Sequence, residues 1–219
     1  MNAHSKNTSH YFYPFFKRCF DILLSICFII LFSPLYLLII LLVKLDSKGP
    51  IFYTELRLGK GGTLFKMFKF RTMHVGADQC LEELLRSNPD MRKEWQLFHK
   101  LQKDPRCTWI GRFLRKTSLD ELPQFFNVLK GSLSIVGPRP YYVRELTESD
   151  DRFLRKYAHL VLAVKPGITG IWQISGRSLC PYKNRTILDY HYSKKQSFLY
   201  DLMIIIKTIP KVFLLKGAF

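Results

Sequence analysis

Asp120 and Glu121 stand side by side in "RKTSLDELPQFF" (Arg115–Phe126), directly behind the cations Arg115 and Lys116. Adjacent carboxylates repel each other, so such a pair calls for a nearby positive charge or a metal ion. Two chemistries suit it. The pair can hold a divalent cation through hard oxygen donors, and one member can act as a nucleophile. A purely structural reading also exists: Ser118 with Glu121 three residues on has the spacing of a capping box ahead of the apolar run "LPQFFNVL". The readings are compatible, because a helix N-terminus stabilises an anion. On that basis Asp120 is expected to stay ionised, with Arg112, Arg115 and Lys116 pushing the same way.

Three other stretches could serve a reaction at that pair. In "VGPRP" Pro138 and Pro140 bracket Arg139, which rules out regular helix or central strand and holds the Arg on a stiff, extended loop. A guanidinium on rigid backbone suits a phosphate or a planar base. In "KPGITGIWQISGR" (Lys165–Arg177) a glycine-punctuated turn carries Trp172, Gln173 and Arg177. From Arg57 to Arg71 the chain carries Arg57, Lys60, Lys66, Lys69 and Arg71 with no acid between them. At strand spacing Lys69 and Arg71 share a face, and Lys66 lies on the other unless a bulge intervenes. A solvated basic strand is the plain alternative there. The "GKGG" within it lacks the spacing of a phosphate-binding P-loop.

These residues need elements to position them. The chain has 219 residues, 34 Lys+Arg against 17 Asp+Glu, and a formal net charge of +17. That excess points to an anionic partner: nucleic acid, lipid headgroups or a phosphorylated substrate. A hydrophobic content of 47% excludes a disordered basic tail. Cys19, Cys27, Cys80, Cys107 and Cys180 are odd in number and form no C-x-x-C pair, and the His residues form no ligand pattern. Neither a disulfide framework nor a transition-metal site is expected, and a reducing compartment fits.

No charge interrupts Ile22 to Val43, a run that as a helix matches a bilayer core of ~30 Å. Ser33-Pro34 sits in its middle, and Pro removes a helical hydrogen bond. The flanks are basic on both sides, Lys17 and Arg18 before, Lys44 and Lys48 after. If both flanks stay in the cytoplasm, the segment enters and leaves by one face, as a re-entrant helix broken at Ser33-Pro34. A straight single-pass anchor is the alternative. Beyond it, Pro50–Met73 predicts two short strands around a Gly59–Gly62 turn, and Ala77–Gln102 two helices parted at Asn88-Pro89. Phe198–Phe219 mixes apolar runs with Lys207, Lys211 and Lys216, which suits interfacial helices with snorkelling lysines. The expected architecture is a compact α+β catalytic domain: residues 1–16 a tail, 17–48 the re-entrant membrane helix-hairpin, and 49–219 the body with its interfacial amphipathic helices.

In this order, the broken apolar helix, "FKMFKFRTM", "RKTSLDELPQFFNVLKGSLSIVGPRP" and "KPGITGIWQISGR" resemble the bacterial sugar transferases, the monotopic phosphoglycosyl transferases. The likeness covers nearly the whole chain after its first dozen or so residues. It implies transfer of a sugar 1-phosphate from a UDP-sugar to undecaprenyl phosphate, with release of UMP. It makes Asp120 the nucleophile, Asp120 and Glu121 the ligands of Mg2+, and Lys66, Lys69, Arg71 and Arg115 phosphate contacts. Pro138 and Arg139 match the family's nucleotide-binding motif, and Gln173 and Arg177 a second loop that lines the substrate. The implied setting is the cytoplasmic face of a bacterial inner membrane, with membrane lipid as a partner, no nucleic acid, and a homodimer among the permitted assemblies. The "WQISGRS" loop and "GAF" ending look most like the branch that transfers galactose 1-phosphate. Rival readings are a membrane-attached glycosyltransferase that releases UDP, and a basic protein that binds anionic lipid.

Overall fold

Pro34 has no N–H to give to the preceding turn, and the chain breaks there. Helix α1 (Thr8–Leu31) ends three residues before it and α2 (Ser33–Asp46) holds it in its first turn, the two bent by 64°. No single helix among the described residues is long and apolar enough to cross a membrane, whereas the bent pair is so in combination. Ser33 is the first residue of α2; its cap position is Phe32, which makes no side-chain capping bond. The computed structural model describes residues 8–98, 101, 103–147, 152–176 and 182–213.

Alternation and a glycine turn produce the hairpin expected after the apolar run. Strands β1 (Phe52–Leu58) and β2 (Leu64–Phe70) pair antiparallel around a short 3-10 turn at Lys60–Gly62, in regular register from Phe52 opposite Phe70 to Leu58 opposite Leu64. Helices α3 (Ala77–Ser87) and α4 (Pro89–Phe98) part at Asn88, whose side-chain oxygen accepts from the amides of Asp90 and Met91. Next come α5 (Trp109–Thr117), α6 (Gln124–Lys130), β3 (Ser134–Val136) and α7 (Val143–Thr147). The remaining elements are α8 (Arg152–Val161), β4 (Gly167–Thr169), α9 (Ile171–Ile174), α10 (Tyr182–Lys195) and α11 (Phe198–Phe213). Strand β3 pairs parallel with β4, which gives a mixed α+β body with two small two-stranded sheets.

The bent pair is fastened to this body along its whole length. Near its start, Tyr13 and Lys17 bond Asp201 of α11, at 2.9 and 2.5 Å. Arg18 donates to the carbonyls of Val128 and Leu129 at the end of α6, supplying a cation where free carbonyls accumulate. Buried Asp21 accepts from the amide of Ile135 in β3. In the middle, Phe28 stacks on Phe125 with ring centroids 4.0 Å apart, and Tyr36 donates to the carbonyl of Leu122 at 2.6 Å. At its end, Asp46 accepts from the amide of Ile110 in the first turn of α5. The pair also exposes Leu23, Ile26, Ile30, Leu31, Leu37, Leu38, Leu41 and Leu45, many more apolar side chains than a solvated surface needs. Helix α11 likewise exposes Phe198, Leu199, Leu202, Ile206 and Ile209.

Packing joins the pair to the candidate chemistry. Tyr36, Ile39 and Val43 of α2 share one buried cluster with Phe70 of β2, Ile110 and Leu114 of α5, and Leu122. Helix α5 lies so close to the end of β2 that a Cβ on Gly111 would meet the backbone oxygen of Thr72 at 2.0 Å. That oxygen already accepts from the amide of Thr108, so it has little room to retreat. Gly111→Ala is therefore expected to destabilise the fold by about 1–3 kcal/mol, despite alanine's better helix propensity. A thermal unfolding midpoint in detergent that is unchanged or raised would show that the contact is looser than this.

Candidate active site

Helix α5 does not run on into the acidic pair. Ser118 takes a left-handed conformation, φ 59°, and closes α5 by donating its amide to the carbonyl of Arg115. A single 3-10 turn, Leu119–Glu121, follows, and α6 begins only at Gln124. The capping box expected at Ser118 is therefore absent: Ser118 makes no side-chain cap bond, and Glu121 precedes the helix it was to start. The reason is that Ser118 stands at the junction of α5 and the 3-10 turn in a left-handed conformation, whereas a capping serine needs an extended backbone to turn its hydroxyl to the amides ahead. A three-residue turn has little macrodipole to offer, so the second part of that expectation changes as well.

Asp120 is only 9% exposed, and its carboxyl is pushed up to about 6. Burial is the main cause, opposed by the charge of Lys69, reinforced by that of Glu121 and opposed again by Arg115. The acid is thus raised rather than held down, yet it is still mostly ionised at neutral pH. Glu121 turns outward, its side chain 43% exposed, with Oε1 3.3 Å from Lys69 Nζ. Burial alone would lower the Lys69 ammonium, but Glu121 and Asp120 outweigh it and hold it up. One partly buried ammonium therefore serves two neighbouring carboxylates.

The other basic residues separate by task. Arg115, in the last turn of α5, donates Nε–H to Thr72 Oγ1 at 2.9 Å and adds its charge to that felt by Asp120. Lys66 is exposed, and the unbulged register puts it on the opposite face from Lys69. Arg71 is buried and turned to the end of α2, where Nη2 donates to the carbonyls of Val43 and Ser47 and to Ser47 Oγ. Its Nε and Nη1 are buried without a hydrogen-bond partner.

The loop after β3 is held on all sides. Leu58 donates its amide to Tyr141 O, Arg57 Nη1 donates to Pro140 O, and Pro138 O accepts from the amide of Gly167. Arg57 is in turn bound to Glu55 Oε2 and lies over the Tyr142 ring, 3.2 Å from its centroid, while Tyr142 donates its hydroxyl to Glu55 Oε1. Burial would raise the Glu55 carboxyl, but Arg57 and the Tyr142 hydroxyl hold it below the usual range. Arg139 pairs with Glu145 at 3.1 Å and lies 5.8 Å from the Trp172 ring. Its amide and the Tyr141 hydroxyl both donate to buried Asp189. Gln173 Nε2 donates to Ile168 O, leaving Oε1 buried without a partner. Arg177 lies outside the described residues.

Sequence reasoning missed Glu55, Glu145 and Asp189. For Glu55 a signal existed: it is an acid between Tyr53 and Arg57 on the strand face that pairs with Lys69. Among the described residues no group of three or more His, Cys, Asp or Glu side chains could hold a metal ion. Asp120 and Glu121 nevertheless suit Mg2+, which is commonly held by one or two carboxylates and completed by substrate phosphate oxygens. The raised Asp120 carboxyl marks a place where added positive charge would be welcome.

A family model described as bacterial sugar transferase matches residues 12–215. The exopolysaccharide production protein ExoY of Sinorhizobium fredii is 47% identical over 203 residues, 93% of this chain and 88% of that protein. The undecaprenyl-phosphate galactose phosphotransferase of Salmonella typhimurium is 44% identical over 205 residues, 94% of this chain and 42% of that protein. The UDP-glucose:undecaprenyl-phosphate glucose-1-phosphate transferase of Escherichia coli is 39% identical over 208 residues, 93% of this chain and 41% of that protein.

A carboxyl raised by the fold binds a proton more tightly folded than unfolded, so its contribution to stability declines as pH rises from about 4 through about 6 and is then level. Asp120→Asn is accordingly expected to be more stable than the native chain at pH 8, by on the order of 2 kcal/mol, with the advantage fading below pH 4. Unfolding of both proteins at the two pH values tests this. Equal stability throughout would mean that Asp120 is solvated as an ordinary surface acid. Lys69→Met should move the Asp120 titration further upward, as read by carboxyl NMR.

Proposed function

The chain belongs to the bacterial sugar transferase family, and on that premise we propose that it moves a sugar 1-phosphate from a UDP-sugar to a polyprenyl phosphate and releases UMP. The observation that carries this reading is a buried, still ionisable Asp120 facing Lys69, on a turn whose next residue, Leu122, is bonded by Tyr36 of the apolar helix pair. A lipid-borne acceptor and a soluble nucleotide donor can meet only at the edge of a membrane, and this turn sits against the element suited to be there.

In the proposed reaction an oxygen of Asp120 attacks the sugar-bearing phosphorus. The bond to the bridging oxygen breaks, and UMP departs with that electron pair. An oxygen of the acceptor phosphate then attacks the aspartyl phosphosugar, and the Asp120 carboxylate is regenerated. Lys69 keeps Asp120 charged before attack and offers an ammonium to the diphosphate, while Arg115 adds a second cation. Arg139, on its fixed loop, takes the nucleotide. Asp120 and Glu121 would hold Mg2+, which when bound neutralises diphosphate charge and stabilises the leaving UMP. Donor sugars are galactose or glucose, those named for the Salmonella and Escherichia coli relatives.

The same reading places the protein on the cytoplasmic face of the membrane without spanning it. Both ends of the bent pair are bonded to one body, through Lys17 and Arg18 at one end and Asp46 and Ser47 at the other. A helix that crossed the bilayer would carry one of those ends away. The apolar outer layer of α1 and α2 and the exposed apolar residues of α11 would then lie in lipid.

The test is to incubate the detergent-solubilised protein with UDP-galactose or UDP-glucose, Mg2+ and undecaprenyl phosphate, and to identify the nucleotide released. UMP is expected, with turnover lowered at least ~1,000-fold in Asp120→Asn. Release of UDP would replace this reading with simple sugar transfer, and near-native turnover in the variant would remove Asp120 as the nucleophile.

A further inference from the structure

Asp189 lies on α10, fully buried, 50 residues beyond the loop it serves. Its Oδ2 accepts from the amide of Arg139 at 3.2 Å and from the Tyr141 hydroxyl at 2.7 Å. One carboxylate oxygen thus grips the chain on both sides of Pro140, which has no N–H of its own. The other oxygen, Oδ1, is buried without a hydrogen-bond partner, as is the Thr186 hydroxyl three residues earlier on the same helix. Burying a carboxylate that is only half satisfied is costly, and burial pushes this one up to about 7. Such a group persists where a position is worth more than stability. Around it stand Arg139 and Arg185, whose guanidinium carbons lie 5.8 and 5.3 Å from the Trp172 ring.

We propose that Asp189 is the positioning residue of the nucleotide loop: by binding the Arg139 amide and the Tyr141 hydroxyl together, it fixes the backbone from which the Arg139 side chain reaches the donor. The inference rests on the reading of Arg139 as a nucleotide contact. It adds a residue that lies outside every motif that suggested the function. Because Asp189 acts through Arg139, it matters only while nucleotide is in the site. In a two-step transfer UMP has left before the acceptor reacts, so the first half-reaction depends on Asp189 and the second does not.

The experiment compares Asp189→Ala, Asp189→Asn and Tyr141→Phe with the native chain, each alone, and Asp189→Ala also combined with Arg139→Ala. Asp189→Ala is expected to lower kcat/KM for the UDP-sugar about 10- to 100-fold while kcat/KM for the polyprenyl phosphate stays within about twofold. Asp189→Asn keeps an acceptor oxygen and should restore most of the loss, and Tyr141→Phe should give a smaller loss of the same kind. On the Arg139→Ala background, Asp189→Ala should add less than about twofold, since partners in one path are not additive. Hydrogen exchange gives a readout free of catalysis: the Arg139 amide should exchange faster in Asp189→Ala than in the native chain, with β3 and the rest of α10 unchanged. Equal losses in both half-reactions, full additivity with Arg139→Ala, or faster exchange throughout α10 would each overturn the proposal. A native chain that releases no UMP would count against the transferase reading, and exchange at Arg139 would still decide whether Asp189 holds the loop.

Discussion

Two carboxylates in consecutive positions cannot both be ionised and secluded unless a cation stands between them and their mutual repulsion. In this protein the cation is Lys69, and much of the architecture consists of what brings it there. The hairpin presents it on the face that looks toward the 3-10 turn, and the close approach of α5 at Gly111 sets the depth of that turn against β2. Ser118 then bends the chain by a left-handed step, so that Asp120 faces inward and Glu121 outward. The difference in exposure gives two chemically similar neighbours different surroundings: one is secluded with its carboxyl raised, the other is open to solvent beside Lys69.

The apolar helix pair belongs to this arrangement and is more than an anchor. Its buried side contributes Tyr36, Ile39 and Val43 to the cluster that also contains Leu114 and Leu122, the residues on either side of the acidic turn. Tyr36 fastens the carbonyl that follows the turn, and Phe28 stacks on Phe125 at the start of α6. The outer side stays apolar and free. One element therefore has both an inner surface that packs against the turn and an outer surface of exposed apolar side chains, so a change in how the pair sits would be felt at Asp120 within one helix diameter, about 10 Å.

The break at Pro34, the two strands and the parting at Asn88-Pro89 were legible in the sequence, because each follows from local backbone chemistry or short-range alternation. So was the separation of Lys66 from Lys69. What escaped was of two kinds. Ser118 and Glu121 satisfied a local pattern, but the preceding helix claimed Ser118 for its own end, an outcome that depends on where α5 is stopped by packing. Glu55, Glu145 and Asp189 gained their roles from partners far along the chain: Tyr142 lies 87 residues from Glu55, and Arg139 lies 50 from Asp189. No periodicity records such meetings. Arg71 shows the same limit from another side, since nothing in its basic stretch announced the bonds it makes to Val43 and Ser47 at the end of α2.

Asp201 receives Tyr13, Lys17 and Tyr192 at once, and Lys17 lies 184 residues before it. During synthesis, then, the apolar pair leaves the ribosome long before the acid that will neutralise its basic end exists. For most of translation its Lys17 ammonium has Asp21, one helical turn on, as the acid nearest to hand. The latch to Asp201 can close only after almost the whole chain has been made, so the first helix is joined to the body by the last one.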